Sequence, residues 1–406
     1  MESTTFDHLP DFLIRQIALP LPLSGVNSLC TTNKRFEKAI SLYNIFWYDK
    51  LVLDYEIIEK FSELFNWKKI YRSRLIGLGN NFYRQLGLKT INAKELTYIP
   101  TVPFKDVACG DHNTIIIDIN NDLWGTGDNI DGQLGVRSTS IHQFIKIPNE
   151  AKFIQVACGS SHTLALSDDN RIWVTGSNYY GELGLDLDGG INQFTEVEGY
   201  RAKQISCSGN HSAFIDLDGN LHTFGDGRYG QLGRDGDNKF PDKVSINVPI
   251  IQVACGRDHT VCIDDNNDIW VFGSNWYGQL GLMQDENSQR KHPVKIPNHK
   301  AKYVSCGFKQ TAFIDLNDNA WIFGIQSYEK GRFPIKVMQG QIVDIDFKVK
   351  QVYCGSQIIL FIDLEDNLWA TGENETLNIK SEIPVIISRA KTYKVAAGKS
   401  HMVVMG

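Results

Sequence analysis

No apolar run in this 406-residue chain approaches the roughly 18 residues that a membrane-spanning helix needs. The opening Met1-Glu2-Ser3-Thr4-Thr5-Phe6-Asp7 is acidic and polar, unlike a secretory leader, so an intracellular protein, cytoplasmic or nuclear, is expected. Basic excess is missing too. The net charge is −6, and residues 1–75 carry 10 Lys/Arg against 9 Asp/Glu. A protein that holds nucleic acid through its phosphates usually carries a basic surplus or tail, which argues against that class. The eight cysteines include no Cys-x-x-Cys pair, so a zinc site is not expected. Also absent are a phosphate-cradling glycine loop ending in Lys-Ser/Thr, a Gly-x-Ser-x-Gly element, and any Cys/His/Asp constellation outside a repeat. No catalytic residue, cofactor or metal is expected, and the chain reads as a binding protein rather than an enzyme.

What is present is a repeat. A small-residue/Cys/Gly signature returns at Gly110, Gly159, Ser208, Gly256, Gly307, Gly355 and Gly398, each as its third residue. Six of the eight cysteines (Cys109, Cys158, Cys207, Cys255, Cys306, Cys354) occupy its middle position and read as small buried hydrophobes. A second signature, Phe-Gly or its Thr-Gly and Leu-Gly counterparts, falls at Gly79, Gly127, Gly176, Gly225, Gly273, Gly324 and Gly372. Spacings near 40 to 50 residues mark a closed or stacked array, here a propeller. Flanking residues alternate or are β-branched, and turns such as Asp216-Leu217-Asp218-Gly219-Asn220 suit hairpins.

The second signature starts before the first, so residues 74–101 and 391–406 each supply half a unit. Their pairing closes a ring of seven blades and removes two open sheet edges. His162, His211, His259 and His401 share one repeat position, held elsewhere by Asn113, Gln310 and Ile358. An isoleucine there argues against a ligand site. Each imidazole is expected buried, bonding backbone within its own blade.

Ala-Cys-Gly-x-x-His-Thr followed by Gly-Ser-Asn-x-x-Gly-Gln-Leu-Gly resembles the repeats of the regulator of chromosome condensation family. Residues 158–184 and 255–281 match over nearly the whole motif. The resemblance covers residues 74–406 and implies a mainly β, seven-bladed propeller.

Residues 1–73 differ in composition and carry helical spacing. Leu9, Leu13 and Ile17 fall on one face with Pro10 in the first turn, and Pro20 and Pro22 end that helix. Ser24 caps a second helix bearing Leu29, Cys30, Asn33 and Phe36, and Trp47 follows in an aromatic run. Pattern and order resemble a small all-α F-box. That resemblance implies docking on the Skp-type subunit of a cullin–RING ubiquitin ligase through Leu9, Pro10, Leu13, Ile17, Leu29, Cys30 and Phe36. The propeller would then hold an unidentified protein substrate. The founding family's activity implies an alternative, guanine-nucleotide exchange on a small Ran-like GTPase. For that, the loop at residues 283–292 is the nearest thing to an inserted wedge.

Three departures from the repeat locate the target-binding surface. Phe82, Tyr83, Tyr179, Tyr180, Tyr229, Trp276 and Tyr277 gather just before the Gly-Gln-Leu-Gly element, as an arc of anchors or as rings packed under their own loops. Two units, after Gly324 and after Gly372, lose the element. Arg228 and Arg234 flank the Tyr229 loop, and Arg228 joins the expected site.

Overall fold

The computed structural model describes residues 75–282, 289–325, 336–342, 347–377, 379–389 and 391–406. The F-box-like segment, with Leu9, Pro10, Leu13, Ile17, Leu29, Cys30 and Phe36, lies outside them. Among the described residues there is no α-helix, and one 3-10 turn at Glu375–Leu377 interrupts the strands.

The strands form a propeller. One unit runs Phe153–Cys158, His162–Ser167, Ile172–Gly176 and Ile191–Glu196, each antiparallel to the next. In the first and last segments, Leu75–Asn80 pairs with Asn92–Ile99 on one side and His401–Met405 on the other. Lys394–Ala397 completes that sheet.

The described strands make six sheets, not the seven separate blades expected: five of four strands and one of seven. The long strand Gln289–Cys306 causes the difference. Its first part pairs with Asp268–Ser274 and its second with Gln310–Asp315, so two repeat units fuse into one sheet. Lys295 and Lys300 both reach the Asp268 carboxylate, at 2.5 and 3.1 Å, and Asp268 pairs with Lys300 in the ladder. The same clamp recurs at Asp122 with Lys146 and Lys152, where Ser140–Lys146 and Phe153–Cys158 stay separate, so the fusion lies in the unbroken course of Gln289–Cys306 and not in the ion pairs.

The core lies between neighbouring sheets. Leu164, Leu166 and Val174 of one unit pack on Ile205, Phe214 and Phe224 of the next. Ile115 and Ile117 pack on Phe153 and Ala165 in the same way. Each fully buried large side chain contributes roughly 1.5–3 kcal/mol, so every inter-unit seam carries much of the stability.

The hairpin turns satisfy themselves. In Asp264-Asp265-Asn266-Asn267-Asp268 the Asp264 carboxylate accepts from the Asn266 and Asp268 amides, and from the Trp270 indole at 2.9 Å. Asp118 with Trp124, Asp315 with Trp321 and Asp363 with Trp369 repeat the arrangement, and His222 replaces tryptophan opposite Asp216. Asn267 sits at φ 63°, where glycine stands in the Asp216 turn. These acidic residues are accounted for by turn chemistry.

Candidate functional site

The four equivalent histidines are fully buried but do not bond backbone within their own unit, as expected from the sequence. Each reaches a hydroxyl of the next unit: His162 to Ser212 (3.0 Å), His211 to Thr260 (2.8 Å), His259 to Thr311 (2.9 Å) and His401 to Thr114 (3.0 Å). Those hydroxyls donate their protons to carbonyls, Ser212 to Glu182, Thr260 to Gln231, Thr311 to Gln279 and Thr114 to Gln85. Each hydroxyl can therefore only accept from the ring, so Nε2 carries the proton. Nδ1 has no hydrogen-bond partner. Burial pushes His162, His259 and His401 down to about 3 and His211 to about 4. These are neutral structural latches.

The accepting carbonyls belong to the Gly-Gln-Leu-Gly loops, so each latch also ties down a loop of the preceding unit. The loops are stiff in themselves. Asn178 accepts from the Leu183 amide and donates to the Leu185 and Leu187 carbonyls, and Glu182 accepts from the Tyr180 amide. Asn275 with Leu280 and Gln279 with Tyr277 do likewise, as do Asn81 with Leu86 and Gln85 with Tyr83. The recurring residues thus build a frame, and the two residues between Asn and Gly are left to point outward.

Those two positions hold the expected target-binding residues and divide the two arrangements left open by the sequence. The first is solvent-facing: Phe82 is 64% exposed, Tyr179 87% and Trp276 59%. The second is partly covered, and its ring meets the next unit. Tyr83 lies against His112 with centroids 4.4 Å apart, Tyr180 under the Arg228 guanidinium at 4.6 Å, and Tyr277 under the Lys309 ammonium at 4.2 Å. Tyr229 is exposed, and Arg228 also grips Asp226 at 2.6 Å. Arg234 is spent on structure, donating to the Thr223 and Phe240 carbonyls.

Sequence reasoning missed Arg257 and Lys309. They lie in the short loops after the Cys signature, which share this face: the Ser274 amide bonds the Asp258 carbonyl. Arg257 covers the Phe308 ring at 5.3 Å. Arg257 and Lys309 stand two and one residues before the histidine position, where sister units vary widely, from Asp111 and Gly209 to Lys399, so the sequence alone does not single them out. One face thus combines Tyr180, Tyr229, Trp276 and Tyr277 with Arg228, Arg257 and Lys309, the side-chain types that anchor protein interfaces.

On the axis, the six repeat cysteines line a single cavity of about 110 Å³. Burial pushes Cys158, Cys255 and Cys354 up to about 12, and the other three rise as well. Cys255 donates to the Ser206 carbonyl and Cys354 to that of Ser305, so the protonated thiols serve packing between units. Among the described residues no group of three or more His, Cys, Asp or Glu is placed to hold a metal ion, and no helix is long and apolar enough to cross a membrane.

The family model of the RCC1-like domain matches residues 74–404. The crystal structure of human WBSCR16 is similar with a TM-score of 0.75 at 20% identity, over 82% of this chain and 98% of that one. Kap60-bound yeast RCC1 (Prp20) gives 0.75 at 18% identity, over 82% and 88%. Prp20p from Saccharomyces cerevisiae, whose structure was reported with its binding properties to Gsp1p and histones, gives 0.73 at 18%, over 82% and 91%. At such identities the likeness shows the fold alone. No curated protein matches the chain.

Proposed function

Because the chain belongs to the family of the RCC1-like domain, we propose that its propeller captures a protein through the loop face, with the F-box-like segment docking the complex on a Skp-type adaptor of a cullin ubiquitin ligase. In this reading the chain does no bond chemistry; it raises the local concentration of a target beside the ligase. The carrying observation is the set of outward rings on a self-bonded loop frame, joined by Arg228, Arg257 and Lys309. Rigid presentation lowers the entropy lost on binding. The order of Leu9, Pro10, Leu13, Ile17, Leu29, Cys30 and Phe36 supports the docking half.

The test is binding of the full chain to a purified Skp–cullin complex. Retention that disappears in Leu9→Asp/Leu13→Asp supports the adaptor. A double variant that stays folded and binds equally well removes it. For the other half, Tyr180→Ala/Tyr229→Ala/Trp276→Ala should reduce target capture while the Skp interaction persists.

A second reading is nucleotide exchange on a small GTPase, favoured by the likeness in fold to Prp20p, studied with Gsp1p. Of the wedge candidate at residues 283–292, positions 283–288 lie outside the described residues. Acceleration of labelled-nucleotide release from a Ran-like GTPase supports this reading; an unchanged release rate ends it.

A further inference from the structure

Between the Tyr179 loop and the corresponding loop of the next unit lies a cleft of about 430 Å³, on the same face as the aromatic arc. Tyr179 and Tyr180 form one wall, their ring centroids 6.3 Å apart and their planes at 57°. Leu187, exposed, adds an aliphatic edge. Asp188 and Asp237 complete the lining, with Lys239 between. Lys239 is already engaged, its ammonium 2.7 Å from Asp186. Three carboxylates thus stand near Lys239, with Arg234 bonded to the Asp237 carbonyl, and the Tyr179 ring is the open part of the aromatic wall, since Arg228 covers Tyr180.

We propose that this cleft receives a lysine- or arginine-rich segment of the captured protein, one basic side chain lying along the exposed Tyr179 ring with its charged head toward Asp188 and Asp237. The proposal deepens the reading of the loop face as a protein-binding surface and rests on it. Chemistry selects the occupant. A long basic side chain has an apolar stem for the Tyr179 ring and Leu187, and a cationic head for the carboxylates. Tyr180 already takes a cation in this setting, with Arg228 over its ring. An acidic segment meets like charge here, and a purely apolar one leaves the carboxylates unanswered. The cleft is stiff: Asn178 and Gly181 belong to the bonded loop frame, and a Cβ on Gly181 collides with the Lys239 backbone.

The experiment is fluorescence anisotropy of the full chain with a labelled lysine-rich peptide and a counterpart in which glutamate replaces each lysine. The lysine peptide is expected to bind, to weaken about tenfold in Asp188→Asn/Asp237→Asn, and to weaken in Tyr179→Ala at unchanged charge. Binding should fade as salt rises from about 0.05 to 0.3 M. Asp188 and Tyr179 are exposed, and Asp237→Asn keeps the acceptor for the Lys239 amide, so these variants should unfold at the wild-type urea midpoint. Equal binding of both peptides, or full affinity in both variants, overturns the proposal. Tyr229→Ala/Trp276→Ala lies outside the cleft and reports on the parent reading separately. Target capture lost there, with the lysine peptide indifferent to the cleft variants, removes only the cleft. The reverse pattern removes the face.

Discussion

Acid should unlatch the propeller, and His259→Gln measures one latch. In the folded protein His259 is neutral down to about 3, while its unfolded value is 6.5. The folded pKa is depressed, so the unfolded chain binds the extra proton between these values. Stability is therefore full above about pH 6.5 and falls as pH drops toward 3. At pH 5 the unfolded state gains about 2 kcal/mol from this one ring, since each pKa unit is worth about 1.36 kcal/mol less the curvature near 6.5. His162, His211 and His401 follow the same sign. All four act in the same direction, against a typical domain stability of about 5–15 kcal/mol.

Glutamine is the informative replacement because Gln310 fills this position in the next unit, donating to the Ile358 carbonyl at 2.8 Å. Urea unfolding followed by tryptophan fluorescence at pH 7.5 and at pH 5 gives the assay. The variant starts less stable, since the ring's packing and its bond to Thr311 are lost, but it should lose about 2 kcal/mol less than wild type between the two pH values. Other groups cancel in the comparison. Asp216, Asp315 and Asp363 are depressed and act below pH 4, and burial raises Asp118 and Asp258, which opposes the trend equally in both proteins. An identical pH dependence in the two proteins refutes the neutral-latch account.

Gly159→Ala should lower stability by about 2–4 kcal/mol, because the new Cβ runs into the His162 ring, which is fully buried and can yield only by giving up its bond to Ser212; soluble yield and urea midpoint report it. Trp270→Phe keeps the ring's burial but leaves Asp264 without its indole donor, a loss of about 1–2 kcal/mol. Asn267→Gly relieves a left-handed backbone and should be neutral or stabilising by up to about 1 kcal/mol, read as a thermal shift. Iodoacetamide at pH 8 should leave Cys158, Cys207, Cys255 and Cys262 unmodified in the native protein and alkylate them in urea, because burial holds all four thiols protonated.

Much of the frame was legible because a repeat reports one environment several times. The glycines at 176, 225 and 273 recur because each sits at positive φ, with a neighbouring strand's backbone where a Cβ would go. The half-units at the two ends follow from the offset between the signatures, and Leu75–Asn80 does lie against His401–Met405. Spacing could not reveal the fused sheet, since repeat length is blind to whether a connector leaves the ladder. Nor do the lysines mark it, since Lys146 and Lys152 converge on Asp122 as Lys295 and Lys300 do on Asp268, and only the latter lie in one continuous strand. Outward rings were visible only as composition; their division into a free first position and a covered second one depends on contacts with the adjoining unit.

The histidine latch carries a signal that one chain already contains. The position after the histidine position is Thr or Ser in five units, and in four of them, Thr114, Ser212, Thr260 and Thr311, it serves not its own unit's residue but the histidine of the preceding unit. Read across units, the pairs are His162 with Ser212, His211 with Thr260, His259 with Thr311 and His401 with Thr114. Gln310 faces a unit whose hydroxyl position is Ile359, and it turns instead to the Gly355 and Ile358 carbonyls. In that unit the histidine position is Ile358, and it shares an apolar cluster with Met402, which occupies the hydroxyl position of the closing unit. Histidines thus occur where the next unit offers a hydroxyl; where it does not, Gln310 finds backbone carbonyls and Ile358 packs on Met402. A buried donor facing Met402 would lose its water and gain no partner, at roughly 1–3 kcal/mol, so the two positions change together. The irregular members of the repeat are then matched seams, and Ile358→His alone should destabilise the ring more than Ile358→His combined with Met402→Thr.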